Sequence, residues 1–172
     1  MVEPLRPTRG GFLHPFGCGW VVREFLSGRG PDGSTKIDPD VGAPQADIFY
    51  HYKTALLRAI ASDRATRQEE KQARREKRAI DPERIERLTQ RYLARIPYKS
   101  TSCRYHSFVV YFSNLQRLGW VEFTGSEEAS AFQDHYPPGQ PRRYFRLTKA
   151  GREASDAAWS NPQFALYGGT RG

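Results

Sequence analysis

The sequence predicts an α+β fold, mainly helical, with a two-stranded β pairing late in the chain and an extended N-terminal arm. Three observations predict it. Apolar residues recur at helical spacing in successive blocks between residues 47 and 118. Two short segments of strand composition follow, WVEFT (120–124) and RRYFRLT (142–148), with a polar loop between them. Residues 1–45 are rich in Gly and Pro and carry one apolar island.

That island, GCGWVVREFLSG (17–28), places Trp20, Val21, Phe25 and Leu26 on one face of a short helix, which Gly28 and GPDGS (30–34) end. KIDPDVGAP reads as a loop, and 1–45 as an arm that docks on the main domain. The main domain spans 46–159 and opens with Asp47 as N-cap, followed by Ile48, Phe49, Tyr52, Leu56, Ala59 and Ile60 at helical spacing. Residues 61–80 form a charged helical insertion whose apolar residues up to position 79 are all alanine. It reads as a solvated continuation of the first helix or a mobile charged segment, with no face to bury.

DPERIERLTQRYLARI (81–96) is the clearest helix. Asp81 caps it, Pro82 takes the first helical position and Glu83 suits the positive helix end. Ile85, Leu88, Tyr92, Leu93 and Ile96 mark its core stripe, and Pro97 stops it. A third helix, 103–118, turns Phe108, Tyr111 or Phe112, Leu115 and Leu118 inward and ends at Gly119. In the second strand Phe145 and Leu147 point inward, Tyr144 and Arg146 outward. Thr148 caps a last helix, KAGREASDAAW, and 160–172 is a tail carrying Phe164, Leu166 and Tyr167.

The order helix, helix, helix, strand, long loop, strand resembles the winged helix-turn-helix superfamily, and in particular MarR- and PadR-type bacterial regulators. LQRLGWVE (115–122) and RRYFRLTKAGRE (142–153) carry the resemblance, which covers residues 47–159. It implies a third helix lying in the DNA major groove, its N-terminal turns nearest the bases, and a β wing on the phosphate backbone. Carried over by position, the DNA-binding residues are Lys99, Ser100, Thr101, Ser102, Arg104 and Ser107 at the helix start, and Arg142, Arg143 and Arg146 on the wing's return strand.

The net charge of +8, with 27 Lys+Arg of which only six are Lys, suits an anionic partner. The basic 64–104 segment supplies phosphate attraction. The expected partner is double-stranded DNA, bound by a homodimer in transcription control or on a mobile element's own DNA. Other features point to a protein partner. Val109 and Val110 fall on outward positions and make no hydrogen bonds to bases, and Glu127, Glu128 and Asp134 at the wing tip repel phosphate. A winged-helix interaction module inside a larger assembly, contacting its partner through Val109, Val110 or the aromatic tail, is the alternative.

His14, Cys18, Cys103 and His106 together make a zinc ligand set, but each half is a single pair and the halves are far apart in sequence. No metal or other cofactor is expected. The chain shows no Gly-rich phosphate loop, carboxylate cluster or nucleophile elbow, so it is not expected to be an enzyme. The start lacks an apolar signal region and the longest apolar run is FVVYF, which makes a cytoplasmic location the expectation.

Overall fold

Helix formation runs further along the chain than the sequence suggests. In the computed structural model, which describes residues 6–7, 13–14, 17–29, 37–97, 104–128 and 142–167, α1 covers Gly17–Leu26 and α2 runs unbroken from Gln45 to Glu76. Then come α3 (Pro82–Arg95), α4 (Tyr105–Arg117), α5 (Lys149–Glu153), α6 (Asp156–Ser160) and α7 (Pro162–Tyr167). β1 (Arg6–Pro7) pairs antiparallel with β2 (Leu13–His14). β3 (Ala43–Pro44), β4 (Val121–Glu128) and β5 (Arg142–Leu147) form an antiparallel sheet in the order β3-β5-β4. The fold is thus α+β and mainly helical. No helix among the described residues is long and apolar enough to cross a membrane.

The chain divides into two compact units, Met1–Pro15 with Lys53–Arg104, and Phe16–Tyr52 with Tyr105–Gly172. The expected boundary at 45/46 therefore falls inside one unit, at the junction of β3 and α2. α1 and β3, both within the expected arm at 1–45, fall in that unit. Cys18, Val21, Val22, Phe25 and Leu26 of α1 are all buried.

In the first unit, α3 begins as its sequence dictates. The Asp81 carboxylate accepts the Glu83 N–H at 3.0 Å and Pro82 opens the helix. The 61–80 segment corrects the expectation of a helix with no face to bury. Ala61, Ala65, Glu69 and Ala73 recur every fourth residue and all are buried. Alanine is a good core residue where elements approach closely, so a hydropathy stripe built from alanine understates the burial it supports. α2 stops at Lys77, which holds φ 53°. The Lys77 N–H donates to the Arg74 carbonyl and the Arg78 N–H reaches the Ala73 carbonyl at 3.0 Å. This is a Schellman ending with lysine where glycine is usual.

In the second unit an aromatic chain forms the core. Phe108 lies 5.3 Å from Phe49 and 5.9 Å from Phe112 between ring centroids, and Phe112 meets Phe145 edge-on at 5.1 Å. Phe145 and Leu147 are buried, as their alternation in the strand predicts. β3 replaces the expected loop: Ala43 pairs with Phe145 and Pro44 with Tyr144, so the sheet has three strands, not two. Gly42, at φ +76°, lies so close to the Phe145 carbonyl that a Cβ there would overlap it.

β4 extends four residues past the expected end at Thr124. Gly125 and Ser126 fall in the expected polar loop. Instead Gly125, at φ +89°, sits in an irregularity of register between Phe123 and Glu127, after which pairing resumes. The predicted single helix after Thr148 is two. Ser155 recaps the chain by accepting the Ala158 N–H, separating α5 from α6. Trp159 is fully buried across that break and its indole N–H donates to the Gly151 carbonyl at 2.8 Å.

Candidate nucleic-acid interface

Charge is segregated along this chain. Residues 53–104 hold 15 Lys+Arg and 7 Asp+Glu, a net +8, while the other 120 residues balance 12 against 12. The entire excess therefore lies in one stretch, most of it on α2 and α3.

Within α2, Arg64, Arg67, Lys71, Arg74 and Arg75 share the face turned away from the buried Ala61, Ala65, Glu69 and Ala73, and all five are exposed. α3 carries Arg84, Arg87, Arg91 and Arg95 along one flank. Each stripe is about 16 Å long at 1.5 Å per residue. Arg67 pairs with Asp63 and Arg84 lies 3.7 Å from Glu69. Arg64, Lys71, Arg74, Arg75, Lys77, Arg87, Arg91, Arg95 and Arg104 are exposed and have no ion pair among the described residues.

The turn joining the helices is fixed by an internal charge network. The Glu69 carboxylate, fully buried, accepts from both terminal nitrogens of Arg78, at 2.7 and 3.0 Å, and from the Asp81 N–H at 3.0 Å. The Arg78 hydrogen bonds hold its pKa down to about 2, against an opposing push from burial. Glu76, also held by Arg78, is shifted the same way. The Tyr92 hydroxyl donates to Gln68, and Arg58 donates to Glu86 at 3.4 Å.

The arginines of β5 behave differently. Arg142 bonds Asp47 and, at 3.0 Å, Glu128; Arg143 bonds Glu127 at 3.2 Å; Arg146 bonds Glu122 at 3.0 Å. The register of β4 against β5 puts each of these Arg–Glu pairs directly opposite. Arg143 also sits over the Phe123 ring at 5.5 Å. Tyr144 donates to Glu128 at 2.6 Å, and that bond to a carboxylate raises the phenol's pKa. Glu127 and Glu128 are thus strand residues that neutralise the arginines expected to meet phosphate. The acidic residues expected at a loop tip and the basic residues expected on the strand cancel one another. Asp134 lies outside the described residues.

On α4 the outward stripe is His106, Val110, Ser113 and Arg117, spaced for one helical face. Val110 is 54% exposed, whereas Val109 is half-buried. The face thus carries one exposed valine, not two, and the sequence reading named its His106 only as a zinc candidate and its Arg117 not at all. Their spacing around Val110 was the available signal. Tyr111 turns toward α1, where its hydroxyl meets the Gly19 backbone and burial raises its pKa well above the ordinary value.

Of the expected DNA contacts, Arg104 and Ser107 are exposed at the start of α4, and Arg142, Arg143 and Arg146 are the ion-paired set on β5. Lys99, Ser100, Thr101 and Ser102 lie outside the described residues. Of the zinc set, Cys18 is buried and His106 is exposed on α4, while Cys103 and the His14 side chain lie outside the described residues. The described residues hold no group of three His, Cys, Asp or Glu placed to bind a metal. The tail forms α7, which packs on α4 and α6 and leaves Phe164 70% exposed.

In comparison with known proteins, no family model, curated protein or solved structure matches the chain.

Proposed function

We propose that this protein binds double-stranded DNA, with α2 and α3 supplying the phosphate contacts and the α4–β4–β5 unit built as a winged helix. One observation carries the reading: the chain's whole positive excess lies on 53–104, and nine of its cations there are exposed without an ion pair among the described residues. Neutralising phosphates releases condensed counterions, so unpaired surface arginines are worth more to DNA than to the fold. The element order α2, α3, α4, β4, β5 and the His106–Val110–Ser113–Arg117 face of α4 support the winged-helix reading. A transcriptional or mobile-element role follows from that family only.

The test is binding of the whole protein to a labelled duplex of about 20 base pairs at salt from about 50 to about 200 mM. Affinity that falls steeply with salt is expected. No binding at the lowest salt sinks the proposal.

A second reading has its own observation. Val110, Phe123 and Phe164 are 54%, 41% and 70% exposed, all in the unit that is not rich in charge excess. This supports a protein-docking role for that unit. It predicts that Val110→Ser or Phe164→Ser abolishes capture of a protein partner while leaving DNA affinity intact.

A further inference from the structure

We infer that the α2–α3 segment recognises the duplex backbone alone, and that the DNA binding proposed above is independent of base sequence. The inference rests on that proposal and adds to it the class of site recognised. Reading base edges in a groove takes Asn, Gln or acidic side chains with free hydrogen-bonding ends, or Arg held in a fixed bidentate pose. Residues 53–104 contain no Asn. All three of their glutamines are engaged internally: Gln68 accepts from Tyr92, Gln72 donates to Glu76, and Gln90 donates to Glu86 at 3.0 Å. The Thr89 hydroxyl donates to the Ile85 carbonyl at 2.7 Å. Beside the exposed carboxylates of Glu70 and Glu83, which repel phosphate, what remains outward is mostly arginine and lysine on long stems, nine of which have no ion pair among the described residues. Such groups follow phosphate charge, which is the same at every base pair.

The same inventory selects duplex over single strand. Sequence-tolerant binding of single strands depends on exposed aromatic rings on which bases stack. Tyr92, the one aromatic described between 54 and 97, is half-buried and spends its hydroxyl on Gln68. A regular helix with cations every third or fourth residue presents charge at fixed steps of about 5–6 Å, which suits a rigid, regularly charged duplex over a flexible strand.

The experiment measures the whole protein against several labelled duplexes of unrelated sequence, the matching single strands and a duplex RNA. Alongside it runs a variant carrying Arg87→Gln, Arg91→Gln and Arg95→Gln. Glutamine keeps helix propensity close to that of arginine, and these side chains hold no ion pair among the described residues, so the variant is expected to fold; circular dichroism checks this. Expected are affinities within about threefold across all DNA duplexes, and a salt slope about three smaller for the variant on each of them. A preference of about a hundredfold or more for one duplex overturns sequence independence. So does an unchanged slope in the folded variant, or tighter binding to single strands or RNA. Failure of every nucleic acid to bind at the lowest salt is a different result, and removes the function proposed above.

Discussion

Glu69 and Arg78 face each other across the end of α2, nine residues apart in sequence, with the guanidinium donating twice to a carboxylate that has no solvent exposure. A buried charge is stable only when paired and hydrogen-bonded, and here the Asp81 N–H completes the shell. The carboxylate thereby fixes where α2 ends and α3 begins. Its pKa is lowered from 4.5 to about 2. A lowered folded pKa means the unfolded chain binds the proton more tightly. The stabilisation is therefore fully present above pH 4.5 and is lost as pH falls through about 2.

Replacing Glu69 by Gln is expected to lower Tm by several degrees at pH 7, since Arg78 loses its buried, doubly bonded carboxylate partner and keeps only Glu76. It is also expected to flatten the fall in urea midpoint between pH 4.5 and 2. An unchanged acid limb in the variant would assign that limb to other carboxylates.

Lys77 offers a gain where Glu69 offers a loss. Its φ of 53° is a conformation glycine adopts without penalty. Its side chain is exposed. Lys77→Gly is expected to raise stability by about 0.5 kcal/mol, the strain relieved less the extra freedom of glycine in the unfolded chain. Lys77→Val, β-branched in the same position, is expected to cost about 1 kcal/mol or more. Denaturant midpoints of the two variants should fall on opposite sides of the native value.

The capped and periodic parts of this fold are legible in the sequence. Asp81-Pro82, Gly119 and the Phe145/Leu147 alternation each act locally, so reading neighbours suffices. What escapes is set by contacts distant in the chain. Ala43 and Pro44 form a strand only because β5 is there to pair with them. The alanines of α2 look solvated until Glu69 and Arg78 are seen to order the turn beside them. The β5 arginines pair with glutamates 14 to 24 residues away, across strands whose register depends on an irregularity at Gly125. For the candidate site, therefore, composition gives only the net basic charge, while the ion-pair geometry separates the paired cations from those with no ion pair among the described residues.

Gly151 tests how tightly α5 is held. A Cβ there would overlap the Trp120 carbonyl, which already accepts the Thr148 N–H at 2.9 Å. The obstacle is backbone, so it cannot turn aside as a flexible side chain would. Gly151→Ala is expected to destabilise by about 1–3 kcal/mol. Because the Gly151 carbonyl holds the Trp159 indole, whose ring lies 4.7 Å from that of Trp120, the change should also alter near-ultraviolet circular dichroism. Destabilisation without that spectral change would place the strain elsewhere.

β5 makes the sharpest contrast with α3. Arg143 and Arg91 are both exposed arginines, but Arg143 has Glu127 beside it and Arg91 has no ion pair among the described residues. A phosphate approaching Arg143 must compete with a carboxylate already in place, and the electrostatic gain is largely cancelled. Arg143→Gln is therefore expected to leave DNA affinity within about twofold, whereas Arg91→Gln lowers the salt slope by about one. The converse change is more telling. Glu127→Gln with Glu128→Gln removes the competitors, and since exposed pairs of this kind contribute only about 0–1 kcal/mol each, the sheet should persist. That variant is expected to bind duplex DNA more tightly with a steeper salt dependence. If Arg143→Gln weakens binding as much as Arg91→Gln does, the β4–β5 pair is part of the contact in the native protein, and its glutamates give way when DNA arrives.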